Sequence, residues 1–534
     1  MFIQRTQRKT KDKVYHSVVL MENYREAKKV RHKTIATLTK WPKHIVDDLE
    51  KLLKGKAVIS IDDLEMYNGK SFGAIQTINN IAKRLGVLPA LGNSKQAKLA
   101  MVQIAGRIIA QQSRNYIANQ WVLNQDIEGV FNVSNFNEDS LYSNLDWLSK
   151  NQEQIEKKIF KHRYKTKEVK EIFLYDVTSS YFEGTKNELA SYGYNRDKKK
   201  GKMQIVIGLM LDSHGYPLTI EVFQGNTSDT KTVSSQLEKL KENFGIERVI
   251  FVGDKGMIKS SQISEIISDQ YKWNYLTTIT KGQIKTLINQ DILQIELFED
   301  EIIEIEAEAN TRYILRKNKY RALEMEQNRK QRIEKVLNFI KTTTLYLKEH
   351  PKAKPEIAQK KIGEKILQLK LKKMISIELN DRKFIAIIDE NEVKKQGELD
   401  GCYVVKTDAP KDKLSTQTAH DRYKDLGMVE YAFRTMKTTI EELRPIFVRK
   451  EERTKGHVFV VMLAYMITKY ISDKMEHLNY TRKFAIESLD RIQYVEYDFK
   501  GKKIKTRPAK FPQHTQEILD ALDMTEKVAK KKLR

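Results

Sequence analysis

Cysteine is almost missing: Cys402 is the one thiol in 534 residues. That excludes a disulfide scaffold, a zinc ribbon and an iron–sulfur protein. Cys402 itself reads as a small buried hydrophobe. Long apolar runs are missing too. No stretch of about 18 apolar residues occurs, so no membrane span is expected. The N-terminal MFIQRTQRKTKDK has no apolar h-region, so a signal peptide is not expected either. No GxxxxGK followed by Ser or Thr occurs, so no phosphate-cradling loop for ATP is indicated. Acidic residues are under-supplied. Lys and Arg number 96 against 71 Asp and Glu, a formal net charge of +25. With 40% hydrophobic and 31% charged residues the chain reads as globular, and its length suits two to four domains.

A charge of this sign and size points to a polyanionic partner, nucleic acid before others. The cations are spread along the chain. Residues 1–54 hold 14 basic and 6 acidic side chains, a net of +8. Lys198, Lys199, Lys200 and Lys202 form a second cluster, and Lys500, Lys502, Lys503, Lys505 and Arg507 a third. Lys530, Lys531, Lys532 and Arg534 read as a solvated tail. Together the clusters read as phosphate contacts, which raise affinity without carrying sequence information. Residues 290–308 run the other way, with eight acids and no base, and are expected to face away from nucleic acid.

Residues 1–38 alternate weakly and are rich in β-formers, which suits a small antiparallel unit. Residues 41–160 read as helical, with Ser94 a cap and Leu99, Val102 and Ile109 at helical spacing. From 171 the period changes. EIFLYDVT is a short apolar run ending in Asp. MQIVIGLMLD and PLTIEVFQG form a hairpin around His214-Gly215-Tyr216-Pro217. RVIFVGDKG is another apolar strand ending in Asp, and WNYLTTIT follows a helix over 257–268. The predicted order is β-β-β-α-β-α-β. Residues 281–415 break it with alternating segments (LQIEL, IIEIEAE, MISIEL) around a long charged helix with Ile333, Val336, Leu337 and Ile340 on one stripe.

Two of the strands thus end in acids, Asp176 and Asp254, at the sheet edge where α/β proteins collect chemistry. A third acid, Glu430, is predicted on a helix. Tyr423, Glu430, Arg434 and Lys437 are spaced by 7, 4 and 3 residues, which puts them on one helical face beside an apolar stripe of Val429, Phe433 and Met436. Carboxylates in this number hold hard cations such as Mg²⁺. Two such ions clamp the attacking and leaving oxygens of a phosphodiester displacement. Taken singly, each Asp reads as a turn former and the Glu as a partner of Arg434. Lys255, next to Asp254, is placed to meet a phosphate. Trp273 and His457 read as core residues. Thr178, Ser179 and Ser180 come without a base and orienter, so a nucleophilic Ser is not indicated.

These marks resemble the DDE transposases of bacterial insertion sequences, in the insertion-sequence-four superfamily. LYDVTSSYF aligns Asp176 with the first catalytic acid of that group and VGDKG aligns Asp254 with the second. Its Tyr-Arg-Glu-Lys signature falls on Tyr423, Leu426, Glu430 and Lys437. Leu426 stands where the wider group has Arg. A Leu followed by VExxFRxxK is similar to one branch, and Arg422 or Arg434 is then the candidate for the missing phosphate contact. NEDSLYSNLDWLSKNQEQIEKKI also resembles that branch.

The resemblance implies an α/β fold: an RNase H-like mixed-sheet catalytic core interrupted by a β-rich insertion, with a mainly helical N-terminal DNA-binding region. The expected divisions are 1–165 for that region, 166–280 and 413–480 for the two parts of the core, 281–412 for the insertion and 481–534 for a basic C-terminal region. It implies metal-dependent cleavage and strand transfer of insertion-sequence ends, with Asp176, Asp254 and Glu430 as ligands of two Mg²⁺ ions (Mn²⁺ substituting). Tyr423, Arg434, Lys437, Lys255 and Arg422 would contact DNA. The implied partners are duplex DNA with terminal inverted repeats, a target DNA, and a second copy of the chain in a synaptic complex. The implied compartment is the bacterial cytoplasm, at the nucleoid. Two other readings stand beside it: an RNase H-like nuclease without strand transfer, and a domesticated DNA-binding regulator.

Overall fold

The structure, a computed structural model, describes all residues except 11–12, 27–28, 57–63, 165–171, 197–198, 308–309, 439–442, 445–447, 500–501 and 530–534. The basic positions Lys198, Lys500, Lys530, Lys531, Lys532 and Arg534 therefore lie outside the described residues. The strands, in chain order, are β1 (Phe2–Thr10), β2 (Lys13–Glu26), β3 (Lys29–Thr37), β4 (Leu64–Ser71), β5 (Ile172–Tyr181), β6 (Gln204–Asp212), β7 (Pro217–Gln224) and β8 (Ile250–Val252). They continue as β9 (Asn274–Thr278), β10 (Ile303–Ala307), β11 (Thr311–Lys317), β12 (Ile375–Asn380), β13 (Lys383–Ile388), β14 (Cys402–Thr407), β15 (Gln493–Phe499) and β16 (Lys502–Thr506). No helix among the described residues is long and apolar enough to cross a membrane.

The chain divides into two units. The first comprises residues 1–71, 492–513 and 525–534. It holds the sheet β1-β2-β3 and a second sheet, β16-β15-β4. The pairing of β4 with β15 joins segments more than 400 residues apart, from Gln493↔Ser71 to Phe499↔Leu64.

The second unit comprises residues 72–491 and 514–524 and is organised by an eight-stranded sheet, β10-β11-β14-β9-β8-β5-β6-β7. Strands β5, β6 and β7 form an antiparallel meander. β8 joins parallel to β5, and β9 parallel to β8. Meander first, parallel strands after, gives the order of an RNase H-like core. Alternation along β5 sends Phe173, Tyr175 and Val177 into an apolar cluster with Phe251, Trp273 and Tyr275. Trp273 is core, with its Nε1–H donating to the Glu247 carbonyl at 2.9 Å.

Residues 281–412 supply β10, β11 and β14 to the far side of this sheet, each antiparallel to its neighbour. The segment expected to be β-rich also carries helices at Lys281–Asn289, Lys319–Glu349, Pro355–Gln368 and Glu390–Gly397, and helix outweighs strand in it. Of the predicted ribbon strands, LQIEL is instead a short 3₁₀ turn at Ile295–Leu297. It has no neighbouring strand, and alternation without a partner makes no ladder. The acidic run is neutralised locally: Arg312 and Lys411 pair with Glu304, and Lys319 with Asp300.

Beside the sheet lies a layer of helices built on Lys95–Ile109, Glu138–Arg163 and Glu451–Lys474. Ser94 caps the first, its Oγ accepting the Ala97 N–H at 3.2 Å. Gly456 permits close packing here, since a Cβ at that position would stand 2.2 Å from the Leu145 carbonyl oxygen. Arg114 is buried between these helices. Its Nε donates to Gln103 Oε1 at 2.8 Å and its guanidinium meets His457 Nδ1 at 3.0 Å. Arginine can only donate, so His457 Nδ1 accepts and the ring is the neutral Nε2–H tautomer. His457 is a satisfied core histidine.

Glu156, on the helix Glu138–Arg163, is buried against β7. Its Oε1 accepts from Gln152 Nε2 at 2.7 Å. Burial pushes its pKa up to about 7 from an ordinary 4.5. The folded state therefore holds a proton that the unfolded chain releases between about pH 4.5 and 7, and stability from this group falls as pH rises through that window. Glu156→Gln removes the dependence. The expected result is a stability close to the wild type's at pH 4 and a gain at pH 8, on the order of 1–3 kcal/mol. A gain equal at both pH values would contradict a proton on Glu156.

Candidate active site

The first acid does not end its strand. Asp176 lies inside β5, opposite Leu209 of β6, and β5 runs on through Val177-Thr178-Ser179-Ser180 to Tyr181. What ends near it is β8, whose pairing with β5 stops at Leu174↔Val252. Asp176 therefore sits just past the parallel strand, where the sheet opens. Asp254 follows β8 by two residues. The turn is closed by the N–H groups of Met257 and Ile258, which donate to the Asp254 carbonyl at 2.9 and 3.0 Å. Gly253 lets the Ile258 side chain pack close: a Cβ there would stand 2.9 Å from its Cδ1.

Glu430 lies on the helix Leu426–Thr438, which packs on β5 and buries Val429, Ala432, Phe433 and Met436. The polar face keeps Glu430 and Arg434 exposed. Lys437 reaches back to the Ser179 carbonyl of β5 and ties the two elements together. The helical face predicted to run unbroken from Tyr423 is interrupted. Tyr423 belongs to a separate helix, Thr416–Lys424, and Asp425 stands between the two. Arg422 donates to Asp425 Oδ2 at 2.6 Å, so its guanidinium is engaged at the break.

The acids act on one another. Burial pushes the Asp176 pKa up to about 6, and the charges of Asp254 and Glu430 push it the same way. The Val177 N–H, donating at 2.8 Å, and the Arg196 guanidinium oppose the rise. Tyr423 bridges toward Asp254. Its hydroxyl meets Thr278 Oγ1 at 2.9 Å and Asp254 Oδ1 at 3.4 Å. Burial first, and then the Asp254 charge, lifts Tyr423 to about 12, so it is a neutral donor at physiological pH. Lys255 is exposed beside the turn.

Arg196 and Thr278 were not singled out from the sequence. Arg196 is joined to Asp229 through its guanidinium, and its N–H donates to Ser179 Oγ at 2.9 Å. It lines a cavity of about 340 Å³ with Thr178, Ser179, Gln204, Ser228 and Lys259. The SYGYNRDKKKGK segment signalled only bulk charge. Thr278 could have been found as the polar end of the strand after Asp254.

Among the described residues, no three His, Cys, Asp or Glu side chains stand close enough to hold one metal ion together. The donor chemistry nevertheless suits hard cations: three carboxylates, one from a strand, one from the turn after a strand and one from a helix, with no sulfur or imidazole among them. The mutual charge that raises Asp176 is the charge a cation would relieve. Glu430 is the exposed member of the three.

Residues 167–467 match the family model described as the transposase DDE domain. Residues 3–60 match that of the IS1634 family transposase N-terminal domain. No curated protein matches. Among solved structures, the chain is similar to a piggyBac transposase synaptic complex with hairpin DNA, determined by cryo-EM. The similarity is 10% identity over 75% of this chain and 70% of that one, with a TM-score of 0.37, a level that carries no argument.

Proposed function

The chain belongs to the transposases with a DDE domain, enzymes of DNA transposition that use divalent metal ions, and on that premise we propose that Asp176, Asp254 and Glu430 are its catalytic acids. One observation carries the assignment. Asp176, buried at the sheet's opening and raised chiefly by that burial, lies near enough to Asp254 and Glu430 for their charges to add to the rise, although the three are separated by 78 and 176 residues in sequence. The finer reading is a member of the insertion-sequence-four superfamily, in its Leu426-bearing branch, acting on terminal inverted repeats as a dimer with two Mg²⁺.

Bound between the acids, such ions neutralise charge on the attacking and leaving oxygens of an in-line displacement. The rest belongs to the chain. Asp176 offers oxygens from the middle of the sheet, Asp254 from the turn after β8, and Glu430 from the helix laid on β5. Tyr423 donates to Asp254 Oδ1 at 3.4 Å. Lys437 holds the Glu430 helix to β5. Lys255 and Arg434 present cations to the phosphates on either side. Water first displaces a 3′ oxygen at the element's end. The freed 3′-OH then attacks a second phosphodiester, exchanging one P–O bond for another. Residues 1–165 are read as the DNA-binding region and 413–480 as the part of the core that completes the site.

The test incubates the purified chain with Mg²⁺ and a duplex carrying the ends of its own element. Cut ends followed by products with newly joined 3′ ends are expected. Nicked DNA with no joined 3′ end at any time would replace this reading with that of a nuclease.

A further inference from the structure

The sheet β1-β2-β3 is built unlike a core sheet. Most of its residues are exposed, on both faces. Its strands are also staggered. β2 pairs with β1 over Lys13–Met21 and with β3 over Val19–Glu26, so the two ladders overlap only at Val19–Met21. Toward either end it is therefore a two-stranded ribbon. A three-stranded sheet without an apolar face gains little from its own burial. A ribbon of that width is what the DNA major groove admits.

The two faces differ in charge. Side chains alternate along each strand, and register sorts them. Arg5 faces the helix Lys43–Leu53, where it pairs with Asp47 and with Glu50 at 3.1 Å. The acids of the strands, Glu22 and Glu26, share this face, and Glu26 pairs with Arg31 at 2.8 Å. The opposite face carries Gln4, Arg8, Lys13, Tyr15 and Arg25, with no acid among its described residues. The Phe2–His32 edge contact and the 2.6 Å His32–Asn23 hydrogen bond, both on that side, confirm the sorting. Arg8 lies directly across from Tyr15, which is 60% exposed. The acids, Glu22 and Glu26 with Asp47 and Glu50 of the helix, thus all fall on one face, where they offset Arg5, Lys9, Lys29, Arg31 and Lys33, and leave the other with cations alone.

We propose that this open face of β1-β2-β3 docks in the major groove of duplex DNA, with Arg8 and Arg25 reading base edges and Lys13 meeting the backbone. The inference rests on the reading of the chain as a transposase and names the surface that recognises its DNA. Complementary charge selects a polyanion, and ribbon width selects the groove of a duplex. Arginine is the side chain best suited to a guanine edge, and glutamine, here Gln4, to adenine.

The experiment measures binding by the whole chain, in chelator so that nothing is cut. The probes are a duplex of the element's own outermost ~50 base pairs and a shuffled duplex of equal composition. Arg8→Ala with Arg25→Ala should weaken binding to the element end at least ~10-fold and remove most of its preference over the shuffled duplex, whereas Lys13→Ala should weaken both duplexes alike and lower the salt dependence by about one phosphate contact. Arg8→Lys with Arg25→Lys should restore binding to the shuffled duplex but not the preference for the element end. Lys9→Ala with Lys33→Ala, on the covered face, should change either affinity less than ~3-fold. An open-face double variant that still prefers the element end as the wild type does overturns the proposal, as does a covered-face variant that loses as much. Should the wild type bind neither duplex, the reading of the chain as a transposase fails, and not merely this surface.

Discussion

Glu430→Gln should lower the rate of end cleavage by at least ~10³ while leaving DNA binding within about threefold. The change keeps the shape of the side chain and removes one charge. Ligand charge at such a site supplies several kcal/mol of stabilisation to the displacement, and each 1.36 kcal/mol is tenfold in rate. Structure should not suffer, because Glu430 is exposed while the residues that hold its helix, Val429, Phe433 and Met436, are buried. Relief of like charge on Asp176 should, if anything, raise the melting temperature slightly. Arg434→Gln, one helical turn on, is the comparison: loss of a flanking cation should weaken substrate binding and spare the chemistry. Cleavage by Glu430→Gln at the wild-type rate would remove Glu430 from the site.

Arg114→Met should be among the most destabilising single changes in the larger unit, at about 3–5 kcal/mol. Arg114 is 5% exposed. Its burial is costly, and desolvation pulls its pKa down to about 9. It remains because Gln103 and His457 accept from it and because its guanidinium lies 5.4 Å from the Tyr142 ring centroid. Methionine fills the volume but strands two buried acceptors, each worth about 1–3 kcal/mol when unpaired. At roughly 1 °C per kcal/mol for a unit of this size, the midpoint should fall by about 3–5 °C. Adding His457→Leu should cost much less than its own single effect, because the acceptor that was left unpaired is then gone. Full additivity of the two changes would mean that they do not share a network.

The parts of this fold that could be read in the sequence are those decided locally. MQIVIGLMLD and PLTIEVFQG carry both their strands and their turn, and β6 and β7 follow. Asp254 was legible because a glycine and a turn come directly after an apolar run. The continuation of β5 was not. Thr178, Ser179 and Ser180 have the composition of a loop, yet all three are buried in strand. Pairing with Val206, Ile207 and Ile205 of β6 decides that, and Ser179 finds a donor in the Arg196 N–H. The break at Asp425 was likewise hidden, since spacings of 3, 4 and 7 do not register a one-residue interruption between two helices. β4 is the extreme case: its ladder depends on β15, and nothing near residue 64 encodes a partner so remote.

The way β11 and β14 meet has a consequence for how this enzyme can vary. Lys317 is paired with Cys402, and the Asn318 N–H donates to the Gly401 carbonyl at 2.9 Å, where Gly401 takes a φ of +74°. Everything from 318 to 401 is thus an excursion that leaves and returns at neighbouring points of one ladder, with an apolar cluster of its own around Val336, Ile362 and Phe384. Such a cassette can be lengthened, shortened or exchanged for a tight hairpin without shifting the strands that frame it. Evolution, or an engineer, is free to rewrite this lobe while the sheet to which Asp176 belongs keeps its register.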